Sequence, residues 1–302
     1  MQTRTIPNTE LNVSTLCLGT MTFGTPVVEA DAIKLTQWAL DHGVNFIDTA
    51  NMYEGYARFI GSAGGVAEDI LGKALKGRRD RAVVATKVGM KVGPDPEDEG
   101  TRPAAIRKQL DRSLGRLAMD FVDIYYLHKH DPSANLADTL GALADAIHRG
   151  KIKHYGISNY SADQTAELLR VADENHLPRP VIHQPAYSLL KREIETDLLP
   201  LCAKEKIAVA PYQVLQGGLL TGKYRRGQAL PAGSRKTEKP QWIPEFNDEL
   251  FDRLEAIERE ARSKGRTLTR HAIQETLAQP AVVAVVLGVK TIEQVENLIA
   301  SC

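Results

Sequence analysis

The sequence predicts an α/β chain of the (β/α)8 TIM-barrel class, with an N-terminal β-hairpin and long loops at the C-terminal face. Three observations predict it. Short β-branched runs alternate with segments of helical period from the first fifth of the 302 residues to the end. The repeat of about 30 to 40 residues suits one strand plus one helix, so one domain spanning residues 1–302 absorbs the length. Several strands also end in a polar or ionisable residue, at the end of a barrel where sites are built.

The elements follow in order. Residues 2–13 read as a hairpin turning at Pro7-Asn8-Thr9, suited to closing the barrel floor. Eight strands are expected at Leu16–Gly19, Asn45–Asp48, Ala82–Lys87, Val122–Leu127, His154–Ile157, Val181–Gln184, Ile207–Ala210 and Val282–Leu287. Eight helices are expected at Ala30–His42, Ala67–Lys76, Pro103–Leu117, Leu136–Arg149, Ala162–Glu174, Glu195–Glu205, Asp248–Lys264 and Thr291–Ala300, with a further helical stretch at Leu268–Gln279. Gly89–Gly100, with Gly93-Pro94-Asp95-Pro96, reads as a loop. So does residues 216–246, rich in Gly, Lys, Arg and Pro, an insertion expected over the site.

Composition narrows the function. The longest apolar run, Ala281 to Leu287, is far short of a bilayer crossing, so no membrane role is expected. With 38 basic and 38 acidic side chains and no dense Lys/Arg run, the chain has no field to gather nucleic-acid phosphates. The three cysteines, Cys17, Cys202 and Cys302, are widely spaced and suit neither a disulfide framework nor a metal site. Together with an N-terminus unlike an export signal, this predicts a cytoplasmic protein.

Chemistry enters at the strand ends. Val44-Asn45-Phe46-Ile47 ends in Asp48, Val83-Val84-Ala85-Thr86 in Lys87, and Ile124-Tyr125-Tyr126-Leu127 in His128, while Tyr53 follows Asp48 in a loop that can bend back over the mouth. Each alone has a plain structural reading: a cap, a salt-bridge partner, a core histidine, a packing phenol. Together they crowd ionisable groups into one crevice, which is costly unless they pair. An ammonium at Lys87 would lower the pKa of the Tyr53 phenol, and Asp48 would keep that ammonium charged. Tyr53 would then supply a proton while His128 donates a hydrogen bond to a carbonyl oxygen. No protein nucleophile is aligned with its own base, so the attacking species is expected from a cofactor, as hydride.

These residues sit in motifs that resemble the aldo-keto reductase family across nearly the whole chain: Leu18-Gly19-Thr20-Met21-Thr22-Phe23-Gly24, Gly43-Val44-Asn45-Phe46-Ile47-Asp48-Thr49-Ala50 with Tyr53, Thr86-Lys87-Val88-Gly89, Asp123-Ile124-Tyr125-Tyr126-Leu127-His128, Gly156-Ile157-Ser158-Asn159-Tyr160-Ser161 and Gly218-Leu219-Leu220-Thr221-Gly222-Lys223-Tyr224. The resemblance implies reversible, NADP(H)-dependent reduction of an aldehyde or ketone, with the catalytic tetrad at Asp48, Tyr53, Lys87 and His128. It implies that Ser158, Asn159 and Gln184 hold the nicotinamide carboxamide and that Tyr212 stacks on its ring. Gly19, Thr20 and Met21 line the same region, with Gln213 and Leu215. Gly218, Leu219 and Lys223 would follow the pyrophosphate, and Gly288, Lys290, Thr291, Gln294 and Asn297 would meet the adenosine end, where a helix N-terminus and a lysine suit a phosphate.

The chain also departs from the family pattern. Tyr212-Gln213-Val214-Leu215 replaces the usual aromatic-Ser-Pro-Leu, Lys129 replaces an aromatic or apolar residue, and the Asn51–Gly65 loop is long. Met21, Phe23, Met52, Tyr56, Phe59, Lys129 and Trp242 are the residues expected to line the substrate pocket. The resemblance implies a small carbonyl or alcohol as substrate, and the chain is expected to be a monomer or homo-oligomer. Two other readings stay open: a Schiff-base aldolase using Lys87, and a non-enzymatic, NADP-binding regulatory subunit of the kind the family's potassium-channel β subunits provide.

Overall fold

The apolar runs become the staves of an eight-stranded parallel sheet in a computed structural model describing residues 1–302. In chain order the elements are β1 (Thr3–Thr5), β2 (Asn12–Ser14), β3 (Leu16–Gly19), α1 (Glu29–Asp41), β4 (Phe46–Asp48), α2 (Val66–Ala74), β5 (Val83–Val88), α3 (Pro103–Leu117), β6 (Val122–Leu127), α4 (Leu136–His148), β7 (Ile152–Ser158), α5 (Ala162–Glu174), β8 (Ile182–Gln184), α6 (Leu198–Lys204), β9 (Ala208–Val209), α7 (Arg235–Glu238), α8 (Asp248–Ser263), α9 (Leu268–Leu277), β10 (Val285–Gly288) and α10 (Ile292–Ile299). The sheet runs β10-β3-β4-β5-β6-β7-β8-β9. It closes because the final apolar run pairs on both sides. Val209 bridges Val282 and donates to Ala281 O at 2.7 Å, while Val285–Gly288 pairs with Leu16–Gly19. The expected (β/α)8 barrel is therefore present.

Period-two alternation sorts each strand into an inside and an outside. Cys17, Phe46, Ala85, Ile124, Tyr126, Ile182 and Ala208 fill the barrel interior, with Ile6, Leu11 and Val13 of the hairpin packed against them as a floor. The outward residues, such as Leu16, Leu18, Ile47, Val84, Tyr125 and Leu127, pack in two larger clusters with residues of the surrounding helices. Each fully buried Leu, Ile or Val contributes about 1.5–3 kcal/mol. A fourth cluster, Leu219, Leu220, Tyr224, Ile243, Phe251, Leu254, Leu268 and Ala272, fastens the 216–246 segment to α8 and α9.

Boundaries depart from expectation where pairing or a cap intervenes. β7 starts at Ile152 because Ile152 pairs with Val122. α6 starts at Leu198 because Asp197 leaves helical backbone and its carboxylate accepts the Leu198 N–H. The long 51–65 and 216–246 segments contain short turns of 3-10 helix at Gly55–Ala57, Gln216–Thr221 and Pro240–Trp242. No helix is long and apolar enough to cross a membrane.

Candidate active site

The alternation that builds the interior also builds the site. Two residues beyond Phe46, Ala85, Ile124 and Ile182, on the same inward face, stand Asp48, Lys87, Tyr126 and Gln184, and His128 follows Tyr126 by two more. Lys87 Nζ donates to Asp48 Oδ2 at 2.6 Å, to Thr49 O at 2.8 Å and to the Tyr53 hydroxyl at 3.3 Å. The His128 ring stands edge-on to Tyr53, with centroids 6.1 Å apart. Asp48 and Lys87 are buried, whereas Tyr53 and His128 keep part of their surface open.

Electrostatics give each group a distinct state. Burial alone would push the Lys87 amine down, but Asp48 and the Tyr53 hydroxyl outweigh it and hold the amine above its ordinary value. Burial holds His128 well below its ordinary value, with repulsion from Lys87 and Lys129 adding to it, so the ring is neutral near pH 7. For Tyr53 the sequence-based expectation is corrected. Burial pushes the phenol above its ordinary value and Lys87 only opposes this in part, because the sequence reveals the ammonium but not the desolvation. The phenol is thus fully protonated at neutral pH.

The groups expected at a nicotinamide converge here and already bond to one another. Gln184 Nε2 donates to Asp48 Oδ1 at 2.8 Å and Ser158 Oγ to Gln184 O at 2.7 Å. Asn159 Nδ2 donates to His128 O at 2.9 Å, and its Oδ1 accepts from the Tyr212 hydroxyl at 2.8 Å. Ser158 and Asn159 do not cap the helix that follows, because Ser161 and Gln164 form the capping box of α5. Thr20 Oγ1 donates to Asp48 O at 3.1 Å, and Gly19 pairs with both Asp48 and Gly288. Met21 and Leu215 are half-buried, Gln213 is exposed with a left-handed φ of 60°, and Gly218 and Leu219 are buried.

A second cluster is cationic. Burial, then Lys290 and Arg235, pushes the Lys223 amine below its ordinary value. Lys290 is paired with Glu238, whereas neither Lys223 nor Arg235 has a carboxylate within ion-pair distance. Thr291 caps α10 by accepting the Gln294 N–H, Gln294 Oε1 accepts the Lys290 N–H at 2.8 Å, and Asn297 is exposed. Arg235 is a residue the sequence reading missed. The visible signal was a cation in a Gly-, Lys- and Arg-rich loop, but only the fold shows which residues it meets.

The expected substrate pocket is only partly assembled. Tyr56 meets Trp242 edge-on at 5.5 Å, and Arg235, Lys239 and Lys290 lie over the Tyr56 ring, so these two aromatics belong with the cationic cluster. Phe23 is fully buried in an outer core cluster with Leu16, Leu18 and Val27, leaving no surface for a ligand. Phe59 is 68% exposed at a loop tip. Lys129 pairs with Glu99 at 3.4 Å, so its charge is already met within the protein. Met52 is half-buried beside Tyr53.

Comparison with known proteins agrees with the barrel fold. The chain is 35% identical to the protein tas of Escherichia coli over 100% of its own length and 93% of that protein's. It is 33% identical to a probable voltage-gated potassium channel subunit beta of Arabidopsis thaliana, over 98% and 90% of the two chains. The solved holo form of aldo-keto reductase AKR11C1 from Bacillus halodurans superposes with a TM-score of 0.79 at 29% identity, covering 100% of this chain and 90% of that one. The Aldo/keto reductase family model matches residues 15–302, and with a barrel whose strand ends gather Asp48, Tyr53, Lys87 and His128, the chain belongs to the aldo/keto reductase family.

Proposed function

We propose that the protein is an NADP-dependent carbonyl reductase. The observation that carries this is the bonded series Asp48–Lys87–Tyr53 with His128 beside it. When bound, the dinucleotide supplies hydride. Tyr53, protonated at neutral pH, releases its proton to the substrate oxygen, and the Lys87 ammonium at 3.3 Å stabilises the phenolate left behind. Asp48 keeps that ammonium charged although both side chains are buried. Neutral His128 donates one N–H to the carbonyl oxygen as negative charge develops there. Lys223, Arg235 and Lys290 fit a phosphate-bearing ligand: two of these three cations lack a carboxylate, and burial, with the charges of Lys290 and Arg235 adding to it, holds the Lys223 amine below its ordinary value. A cluster this rich in charge favours NADP over NAD.

Lys87 does not suit a Schiff-base aldolase, because its ammonium is fully buried, held above its ordinary value and committed to three acceptors. A cofactor-binding regulatory subunit is the second reading, favoured by similarity to the Arabidopsis protein. Incubation of the purified protein with NADPH and a panel of aldehydes and ketones separates the two. Oxidation of the cofactor with stoichiometric alcohol supports the reductase; tight NADPH binding without turnover on any member supports the regulatory subunit.

A further inference from the structure

Behind the tetrad, on the outer face of the sheet, lies a carboxylate the mechanism does not use. Glu68, in the first turn of α2, has no exposed surface. Its Oε1 accepts from Thr86 Oγ1 at 2.6 Å. Thr86 directly precedes Lys87 on β5 and points to the opposite face, so this bond grips the strand at the point that delivers Lys87. Next to Glu68, the Ala67 N–H donates to Tyr53 O at 3.0 Å, so the same turn of α2 also holds the Tyr53 backbone.

The other carboxylate oxygen faces Arg116 of α3. Arg116 Nη1 lies 3.2 Å from Glu68 Oε2 and 3.5 Å from Asn51 O, and Nη2 donates to Ala63 O at 3.3 Å. Asn51 and Ala63 flank the loop that carries Tyr53. Gly65 lets the guanidinium in: its φ is +83°, and a Cβ there would fall 2.2 Å from Arg116 Cζ. Burial pushes the Glu68 carboxyl up, with the Thr86 hydroxyl and the Arg116 charge opposing.

We infer that Glu68 is a positioning residue. It pins α2, β5 and α3 to one point and thereby fixes the separation between Tyr53 OH and Lys87 Nζ. This rests on reading Tyr53 as the proton donor. Asp48, Tyr212 and His128 also face Tyr53, but none of them ties its backbone to β5 through α2.

The test compares wild type, Glu68→Ala, Glu68→Gln, Thr86→Val, Lys87→Met and Tyr53→Phe. The Tyr53 ring Cζ resonance, assigned by its loss in Tyr53→Phe, is read at neutral pH in the cofactor-free protein. NADPH affinity, kcat and melting temperature are measured beside it. Glu68→Ala and Thr86→Val are expected to move the resonance toward its position in Lys87→Met. Both should lower kcat by about tenfold to a hundredfold, the scale of a small misplacement, with NADPH affinity within about twofold of wild type. Glu68→Gln keeps an acceptor for Thr86 and should fall between. An unmoved resonance in every folded variant, with kcat falling only as melting temperature falls, overturns the inference. Thr86→Val, nearly isosteric, decides the matter if Glu68→Ala does not fold. Wild-type activity in Tyr53→Phe would instead refute the proton-donor reading, while the resonance still reports on the clamp.

Discussion

Asp48→Asn should damage the protein in two separable ways. The Asp48–Lys87 pair is 2.6 Å apart with side chains 2% and 0% exposed, so the amide substitution leaves an ammonium buried among neutral acceptors only, with no countercharge. Breaking a buried pair from one side costs about 3–5 kcal/mol. An unfolding entropy of about 2.1 cal/mol/K per residue gives about 0.6 kcal/mol/K for 302 residues, so the melting temperature should fall by about 5–8 °C. Lys87 can escape part of this cost by losing its proton, since burial is the largest influence on it once the carboxylate is gone. Tyr53 then loses the charge that stabilises its phenolate, and turnover falls with it. Asp48→Asn combined with Lys87→Met removes the stranded charge and should recover part of the lost stability while staying inactive. Differential scanning calorimetry with NADPH turnover on all three proteins reads both effects. A single variant melting within about 1 °C of wild type would show that the pair does not carry the charge balance assigned to it.

Stability should also depend on His183, whose pKa burial pushes down to about 4. Unfolded, it binds a proton near pH 6.5 that the native state withholds, so stability falls as pH drops from about 6.5 to 4, by about 3 kcal/mol. Urea midpoints across that range should fall less steeply in His183→Gln; an identical slope would refute this. Gly72→Ala sets helix propensity, worth about 1 kcal/mol in its favour, against a Cβ placed 2.6 Å from Leu117 O. Overpacking of about 1–3 kcal/mol should win, and a urea midpoint at or above wild type would deny the close α2–α3 approach. Lys223→Met and Arg235→Met should each weaken NADPH binding about tenfold and reduce its salt sensitivity in calorimetric titrations; unchanged affinity would remove that cluster from the cofactor site.

The barrel was legible because its signal is local. A short β-branched run that ends in Asp48, Lys87 or His128 announces both a strand and its end at the mouth. Leu16–Gly19, Val122–Leu127, Pro103–Leu117 and Ala162–Glu174 therefore match the sequence reading residue for residue. What the sequence hid depends on contacts between distant segments. Val282–Leu287 reads as one strand, yet its first residue bridges to Val209 and its last residues pair with β3. Glu68 shares the buried face of α2 with Ala67, Leu71 and Ala74, a carboxylate in a core stripe, but Thr86 and Arg116 as its partners emerge only from the fold. Tyr56 and Trp242, chosen as pocket aromatics, turn instead to Arg235 and Lys290. The direction of the Tyr53 shift required knowing its burial.

Tyr53→Phe removes one hydroxyl and tests the central claim most directly. In single-turnover mixing of the NADPH-loaded protein with a reactive aldehyde, the account predicts that cofactor oxidation slows by about 10²–10⁴-fold while NADPH affinity and melting temperature stay near wild type. An unchanged rate would contradict it, because the proton would then come from elsewhere and the Asp48–Lys87–Tyr53 series would be only a buried polar network.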